Sequence, residues 1–415
     1  MLHRKTTLCT NLTWEPILSQ RVSTGVLELS IFALHQHQQH ISAYFSKGAF
    51  KLHICSLFVS VTSHLPPSPF PLLPPIKKFS GGWCVSDADC YARSLTDLGS
   101  TSKLPAEAAD PAGYCGSSFL SQDPTVNSNI YNFTDVYVPY CDGTSWTGGT
   151  LSTVQINATA SVSYRGAYLR DALIDELVRN HGLASATEVI FGGCSAGGLT
   201  IYLNIDYLAG LIREAAGSSV KIRGLADAGF FLDHFNAAGQ PSRTPLFQWG
   251  FDAWNSSWAL NPACIADHAG TDAWMCIFAQ YTAKYIQTPT FFLNSRFDTC
   301  QLNGCELNLP DANVGWEKMS PSSRTAAIAY AKDFDTALIV SGFSSAPQHG
   351  GWITSCLVHC DAGDASWIHT LAQPRTGNGN SLTPTAAFTA WYTGVNAGDG
   401  WWSDRSATPN LTLTC

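Results

Sequence analysis

The chain has 415 residues and a formal net charge of −8, and charged residues make up 13% of it against about 25% in a typical soluble domain. That length allows one large domain or two ordinary ones. The acidic balance, without basic runs, argues against nucleic acid as a partner, and no apolar run of about 18 residues suggests a transmembrane segment. Fourteen cysteines and thirteen tryptophans are high for a cytosolic enzyme and point to an oxidising, extracellular setting.

Residues 1–79 differ from the rest. His35-Gln36-His37-Gln38-Gln39-His40 reads as a solvated low-complexity tract rather than a metal site. Leu52 to Val61 is a short apolar run preceded by Lys51 that resembles a signal-peptide core placed too far from the start. Pro66 to Pro75 holds six prolines in ten residues, which favours extended linker and excludes a central strand. The expected organisation is an atypical Pro-rich extension over 1–79, disordered or an artefact of the gene model, and a catalytic domain over 80–415.

From residue 80 onward strand-like and helix-like segments alternate, as in a sheet covered by helices on both faces. Arg165 to Arg179 is a predicted amphipathic helix with Leu169, Ala172, Leu173, Leu177 and Val178 on one stripe, stopped by Asn180-His181-Gly182. Glu188 to Phe191 is a predicted strand. It runs into Gly193-Cys194-Ser195-Ala196-Gly197, a Gly-x-Ser-x-Gly turn before the predicted helix that begins around Leu199. Small residues beside the serine permit the sharp strand-to-helix reversal that exposes an esterase nucleophile, and the helix N-terminus behind it favours an anion. Thr290 to Asn294 is a further strand, ending in Ser295-Arg296-Phe297-Asp298, and the C-terminal ends of strands are where functional groups collect in open α/β sheets.

Twelve of the cysteines follow residue 80, an even set that suits a disulfide framework of unreadable connectivity; Cys194 could instead be a buried thiol. Cys356/Cys360 and Cys300/Cys305 lack the second paired element of a structural zinc site. Sequons occur at Asn11, Asn132, Asn157, Asn255 and Asn410. A nucleophilic serine needs a base, and the base a carboxylate. In the chain order Ser, acid, His, Asp298 is the best acid, with Asp227, Asp233 and Asp335 behind it, and His349, His359 and His369 all stand as candidate bases.

From Gly81 onward the sequence resembles the pectin acetylesterase family, which also includes secreted Notum-type carboxylesterases that remove a fatty acyl group from a protein. The resemblance rests on Gly81-Gly82-Trp83-Cys84, Tyr137 to Gly143, Tyr164-Arg165-Gly166, Gly193 to Gly198, Ala226 to Phe231, Asn294 to Asp298 and Ser355 to Cys360. It implies an α/β-hydrolase-like fold: a mostly parallel central sheet with helices on both faces and disulfide-stapled loops. It also implies Ser195 as nucleophile, Asp298 as orienting acid, His359 as general base, and the backbone N–H groups of Gly82, Trp83 and Ala196 as oxyanion donors, with no metal and no cofactor. Asp142-Gly143 and Asp227 are expected to be structural. The departure lies at the front, where Pro74 to Ser80 replaces the apolar strand of family members.

The expected function is a secreted, monomeric serine esterase that removes acetyl groups from a cell-wall polysaccharide such as pectin. Two alternatives stand beside it: a Notum-type protein deacylase with a deeper apolar pocket, and an inactive glycan-binding protein using exposed aromatics among Trp391, Trp401 and Trp402.

Overall fold

The computed structural model describes residues 50–55 and 82–409, with gaps at 97, 100–117, 139, 364–365, 370–372, 375–380, 396–398 and 405. In chain order the elements are β1 (Phe50–Cys55), α1 (Asp87–Ser94), β2 (Thr134–Tyr137), β3 (Val154–Asn157), β4 (Ala160–Val162), α2 (Gly166–Asn180), β5 (Glu188–Cys194), α3 (Ala196–Ala216), β6 (Lys221–Asp227), α4 (Thr244–Ala253), α5 (Pro262–Asp267), β7 (Thr290–Ser295), α6 (Pro321–Val340), β8 (Gly350–Thr354), β9 (Gln373–Pro374), α7 (Pro384–Thr393) and β10 (Trp401–Ser403).

Eight strands form one sheet in the order β2-β1-β5-β6-β7-β8-β10-β9. All neighbours are parallel except β9, which runs antiparallel to β10. Every residue of β7 and β8 is buried, the pattern of strands covered on both faces. Helix α3 packs on β1, β5 and β6, and α7 on β7 and β8. This is the α/β-hydrolase-like architecture expected from the sequence.

The strand beside β5 comes from an unexpected place. Phe50-Lys51-Leu52-His53-Ile54-Cys55 alternates apolar and polar residues, and its backbone pairs Leu52 with Phe191 and Cys55 with Cys194. The sheet therefore reaches back across the boundary expected at residue 79, using the start of the run that resembles a signal-peptide core. The polyproline segment and the His-Gln tract lie outside the described residues.

Helix α2 is present and ends at Asn180, with Gly182 at φ 77°. Its buried face is rotated from the predicted stripe: Ala167, Arg170, Leu173, Ile174 and Leu177 are buried, whereas Leu169 and Ala172 are exposed. Arg170 explains the rotation. Its guanidinium is paired with Asp171 at 2.8 Å, donates to Asn204 Oδ1 at 2.7 Å and lies 3.8 Å from the centre of the Tyr207 ring, so a buried cation is held by partners at the interface with α3.

Candidate active site

Ser195 stands between β5 and α3 with φ 58° and ψ −124°, a conformation a non-glycine residue holds only where its surroundings enforce it. Its N–H donates to Asp227 O at 2.9 Å, and its carbonyl accepts the Leu199 N–H at 2.9 Å. The chain must also pass very close to itself here. A Cβ on Gly198 would fall 2.2 Å from Asp227 O, and one on Gly229 would fall 2.2 Å from Gly198 C, so both glycines are required for the start of α3 to sit against the end of β6. The half-buried serine heads a helix of 21 residues, whose first N–H groups have no partner within the helix.

Asp298 follows the end of β7 and is 1% exposed. Its Oδ1 accepts the N–H groups of Cys300 at 2.8 Å and Gln301 at 3.1 Å, and both carboxylate oxygens meet His359 Nδ1, at 2.9 and 2.8 Å. That contact places the proton on Nδ1 and leaves Nε2 with a lone pair to act as a base. His359 is the one of the three candidate histidines seen to contact a carboxylate. His349 is buried against Phe343, with ring centres 4.0 Å apart; it accepts the Thr290 N–H at Nδ1 and donates to Ile286 O from Nε2. Burial pulls its pKa down to about 4. The His369 side chain lies outside the described residues.

The other candidate acids have different occupations. Asp233 accepts hydroxyls from Thr244 and Tyr281, and Asp335 pairs with Arg296 at 3.2 Å. Asp227 anchors loops, as expected: its carbonyl holds Ser195, while its carboxylate accepts Asp361 N–H at 3.1 Å and Ala362 N–H at 2.8 Å, just beyond His359. Asp142 forms a turn, accepting the N–H groups of Thr144 and Trp146 at 3.1 Å and the Thr144 hydroxyl.

A disulfide between Cys194 and Cys360 fastens the residue before Ser195 to the residue after His359. The ten cysteines described between Cys84 and Cys360 are all disulfide-bonded, with pairs Cys84–Cys90, Cys264–Cys276 and Cys300–Cys305 beside this one. Cys194 is therefore not a free thiol, and the cysteines of the weighed zinc spacings are committed to disulfides. One cluster brings Cys194, His359 and Cys360 within 4.8 Å of one another, but both sulfurs in it belong to the disulfide rather than to thiolates.

The loop carrying Gly82 and Trp83 is tied to the serine turn through a residue that the sequence did not single out. Trp83 Nε1 donates to Ser145 Oγ at 2.9 Å, and Ser145 Oγ donates to Ala196 O at 2.9 Å. Ser145 itself has φ 51° and is held by Tyr140 Oη and Asn204 Nδ2. Gly82 adopts φ 78°. The Trp83 ring packs edge-on against Phe231 and Phe247, with the Arg243 guanidinium 5.1 Å from its centre. Arg243 is paired in turn with the buried Glu306, Nε to Oε1 3.4 Å. Burial pushes the Glu306 carboxyl up to about 8, with Arg243 pulling it only part of the way back. Such an ion pair carries no sequence motif.

A reversed serine at the end of a central parallel strand, with an acid-held histidine across the next loops, is the architecture of an α/β-hydrolase-like carboxylic ester hydrolase. A family model described as Pectinacetylesterase matches residues 77–399, and the chain belongs to that family. It is 29% identical over 313 residues to pectin acetylesterase 5 of Arabidopsis thaliana, covering 72% of this chain and 67% of that one. Pectin acetylesterase 11 of the same plant is 28% identical over 344 residues, 81% of this chain and 80% of the relative. The palmitoleoyl-protein carboxylesterase NOTUM of Schmidtea mediterranea is 28% identical over 233 residues, covering 54% of this chain but 42% of that protein. Among the described residues, no helix is long and apolar enough to cross a membrane.

Proposed function

We propose that this chain is a secreted, monomeric glycoprotein that hydrolyses acetyl esters on an acidic cell-wall polysaccharide such as pectin, through an acyl-serine intermediate and without a metal or cofactor. Ser195 Oγ attacks the acetyl carbonyl carbon as His359 Nε2 takes its proton. Asp298 keeps the imidazole in the correct tautomer and stabilises the imidazolium. Negative charge gathers on the former carbonyl oxygen, where the N–H groups of Gly82, Trp83 and Ala196 receive it. Collapse breaks the bond to the sugar oxygen, which leaves with the proton from His359. Water then attacks the acetyl-serine, gives its proton to His359, and acetate departs as Ser195 recovers its own.

The observation that carries this reading is the two-oxygen grip of Asp298 on His359 Nδ1, in a loop fastened by disulfide to the residue preceding Ser195. The polysaccharide is favoured because the relatives named as pectin acetylesterases are matched over most of their length. The match to NOTUM supports a second reading, a protein deacylase, which would need an apolar pocket burying a long chain at about 0.8 kcal/mol per methylene.

Acetate release from acetylated pectin, and hydrolysis of 4-nitrophenyl esters of increasing chain length, test the reading on the full chain and its Ser195→Ala variant. Serine-dependent activity that collapses beyond short acyl chains is expected. A preference for long chains would favour the deacylase, and absence of activity from folded protein would leave the glycan-binding alternative.

A further inference from the structure

We infer that the cleft around Trp258 is a second binding site, for a uronic-acid residue of a polysaccharide chain, at a distance from Ser195. The substrate class rests on the function proposed above; the site rests on its own geometry. Trp258 is the only tryptophan among the described residues in the exposed class, at 46%. The tryptophans expected from the sequence to meet sugars do not serve: Trp401 and Trp402 are 2% exposed, and Trp391 packs against Phe291 and Phe388.

Gly149, Leu151, Tyr168, Asn255 and Trp258 line a cavity of about 460 Å³. The Tyr168 and Trp258 rings lie 5.4 Å apart, tilted by 43°. Gly149 lets the indole lie against the backbone, since a Cβ there would fall 2.1 Å from Trp258 Nε1. Aromatic faces open to solvent beside an amide suit a pyranose ring, which offers C–H groups to the π-face and hydroxyls at its edge. Asn255 Nδ2 donates to Gly149 O at 3.1 Å, so its amide is fixed with a second N–H and its oxygen left for hydroxyls. Arg165 reaches the rim, donating from one terminal nitrogen to Leu151 O at 2.7 Å; its other donors suit a carboxylate. This is a local cation on a chain of net charge −8, and it selects an acidic sugar over a neutral one.

The cleft is built onto the serine turn. Ser145 donates to Ala196 O, Thr147 Oγ1 meets Ser256 Oγ at 2.9 Å, and the Gly149 N–H donates to Trp254 O at 2.7 Å. Gly149 lies four positions after Ser145, at most about 14 Å of chain, a span that a few linked sugars cover. The Asn255 sequon offers another occupant, a glycan attached to the cleft itself, which peptide mass spectrometry would detect.

The test is titration calorimetry of the full-length Ser195→Ala protein with an unacetylated oligogalacturonate. Adding Trp258→Ala should raise Kd about tenfold, while Trp258→Phe should keep most of the affinity. Methyl-esterifying the ligand should weaken binding to the parent protein but not to its Arg165→Gln version. Equal Kd with and without Trp258, no binding by the parent, or a glycan found on Asn255 by peptide mass spectrometry would each overturn the site. With Ser195 restored, Trp258→Ala should leave 4-nitrophenyl acetate turnover within twofold, which also shows that the variant folds. Loss of esterase activity in the parent enzyme with oligogalacturonate binding intact would sink the proposed reaction and leave the cleft standing.

Discussion

Cys194 and Cys360 join the two sides of the candidate active site, because each is the sequence neighbour of a residue assigned to the chemistry, Ser195 or His359. The link spans 166 residues of sequence. Chain-entropy reasoning for a loop of that size gives about 5 kcal/mol of stabilisation. Asp227 repeats the connection by hydrogen bonds, holding Ser195 with its carbonyl and the chain after His359 with its carboxylate.

Replacing both cysteines with alanine should therefore damage turnover more than substrate binding. We expect kcat on 4-nitrophenyl acetate to fall about 10- to 100-fold, the cost of a misplacement near 1 Å, with KM little changed. A variant of unaltered kcat but lower melting temperature would show that the disulfide serves stability alone.

The candidate triad gives a graded series. Ser195→Ala should reduce turnover by about a million-fold, and Asp298→Asn by about ten-thousand-fold through loss of the correct tautomer. Asp227→Asn should cost roughly tenfold, since one of the two backbone N–H groups on its carboxylate loses its acceptor to an amide NH2 and the other keeps only a neutral one. A loss with Asp227→Asn as deep as with Asp298→Asn would assign Asp227 a direct role.

His349 makes stability depend on pH. Its pKa lies near 4 in the folded chain against an ordinary 6.5, so between those values the unfolded chain binds more protons. Stability contributed by the neutral ring is complete above pH 6.5, declines as pH falls, and is gone below pH 4, a total of about 3 kcal/mol. Denaturant melts at pH 7 and pH 4 should differ less for His349→Gln than for the parent; equal differences would refute the assignment.

Glu306 is buried beside Arg243. Removing it by Glu306→Ala leaves a guanidinium with little access to water, and should destabilise the fold by about 3 to 5 kcal/mol. The double change Glu306→Leu with Arg243→Met should recover most of that loss, and a double-mutant cycle measures the difference. Because Arg243 lies over the Trp83 ring, the single change should also lower kcat; unchanged kcat would separate the ion pair from the Trp83 loop.

What could be read from sequence was whatever depends on a few adjacent residues. The serine turn is legible because glycine is demanded at fixed positions around Ser195, and β7 because Thr290 to Ser295 is a short apolar run between Pro289 and a polar loop. The inward face of α2 was not, because Arg170 is turned inward by partners on α3 that lie far off in sequence. Disulfide partners, and the burial of Trp401 and Trp402 beside the exposure of Trp258, depend on three-dimensional packing in the same way. Ser145 had no signal: its role comes from two hydrogen bonds to residues 62 and 51 positions away.

The origin of β1 bears on how the protein can be handled. Its backbone lies between β2 and β5, so an enzyme trimmed to begin at residue 80 would be split along its sheet. The raw edge of β5 would offer unpaired amides right up to Cys194, inviting a neighbouring molecule to dock there. Trimmed protein should clump where the full-length chain stays dispersed, and adding back a synthetic peptide of Phe50 to Cys55 should slow the clumping.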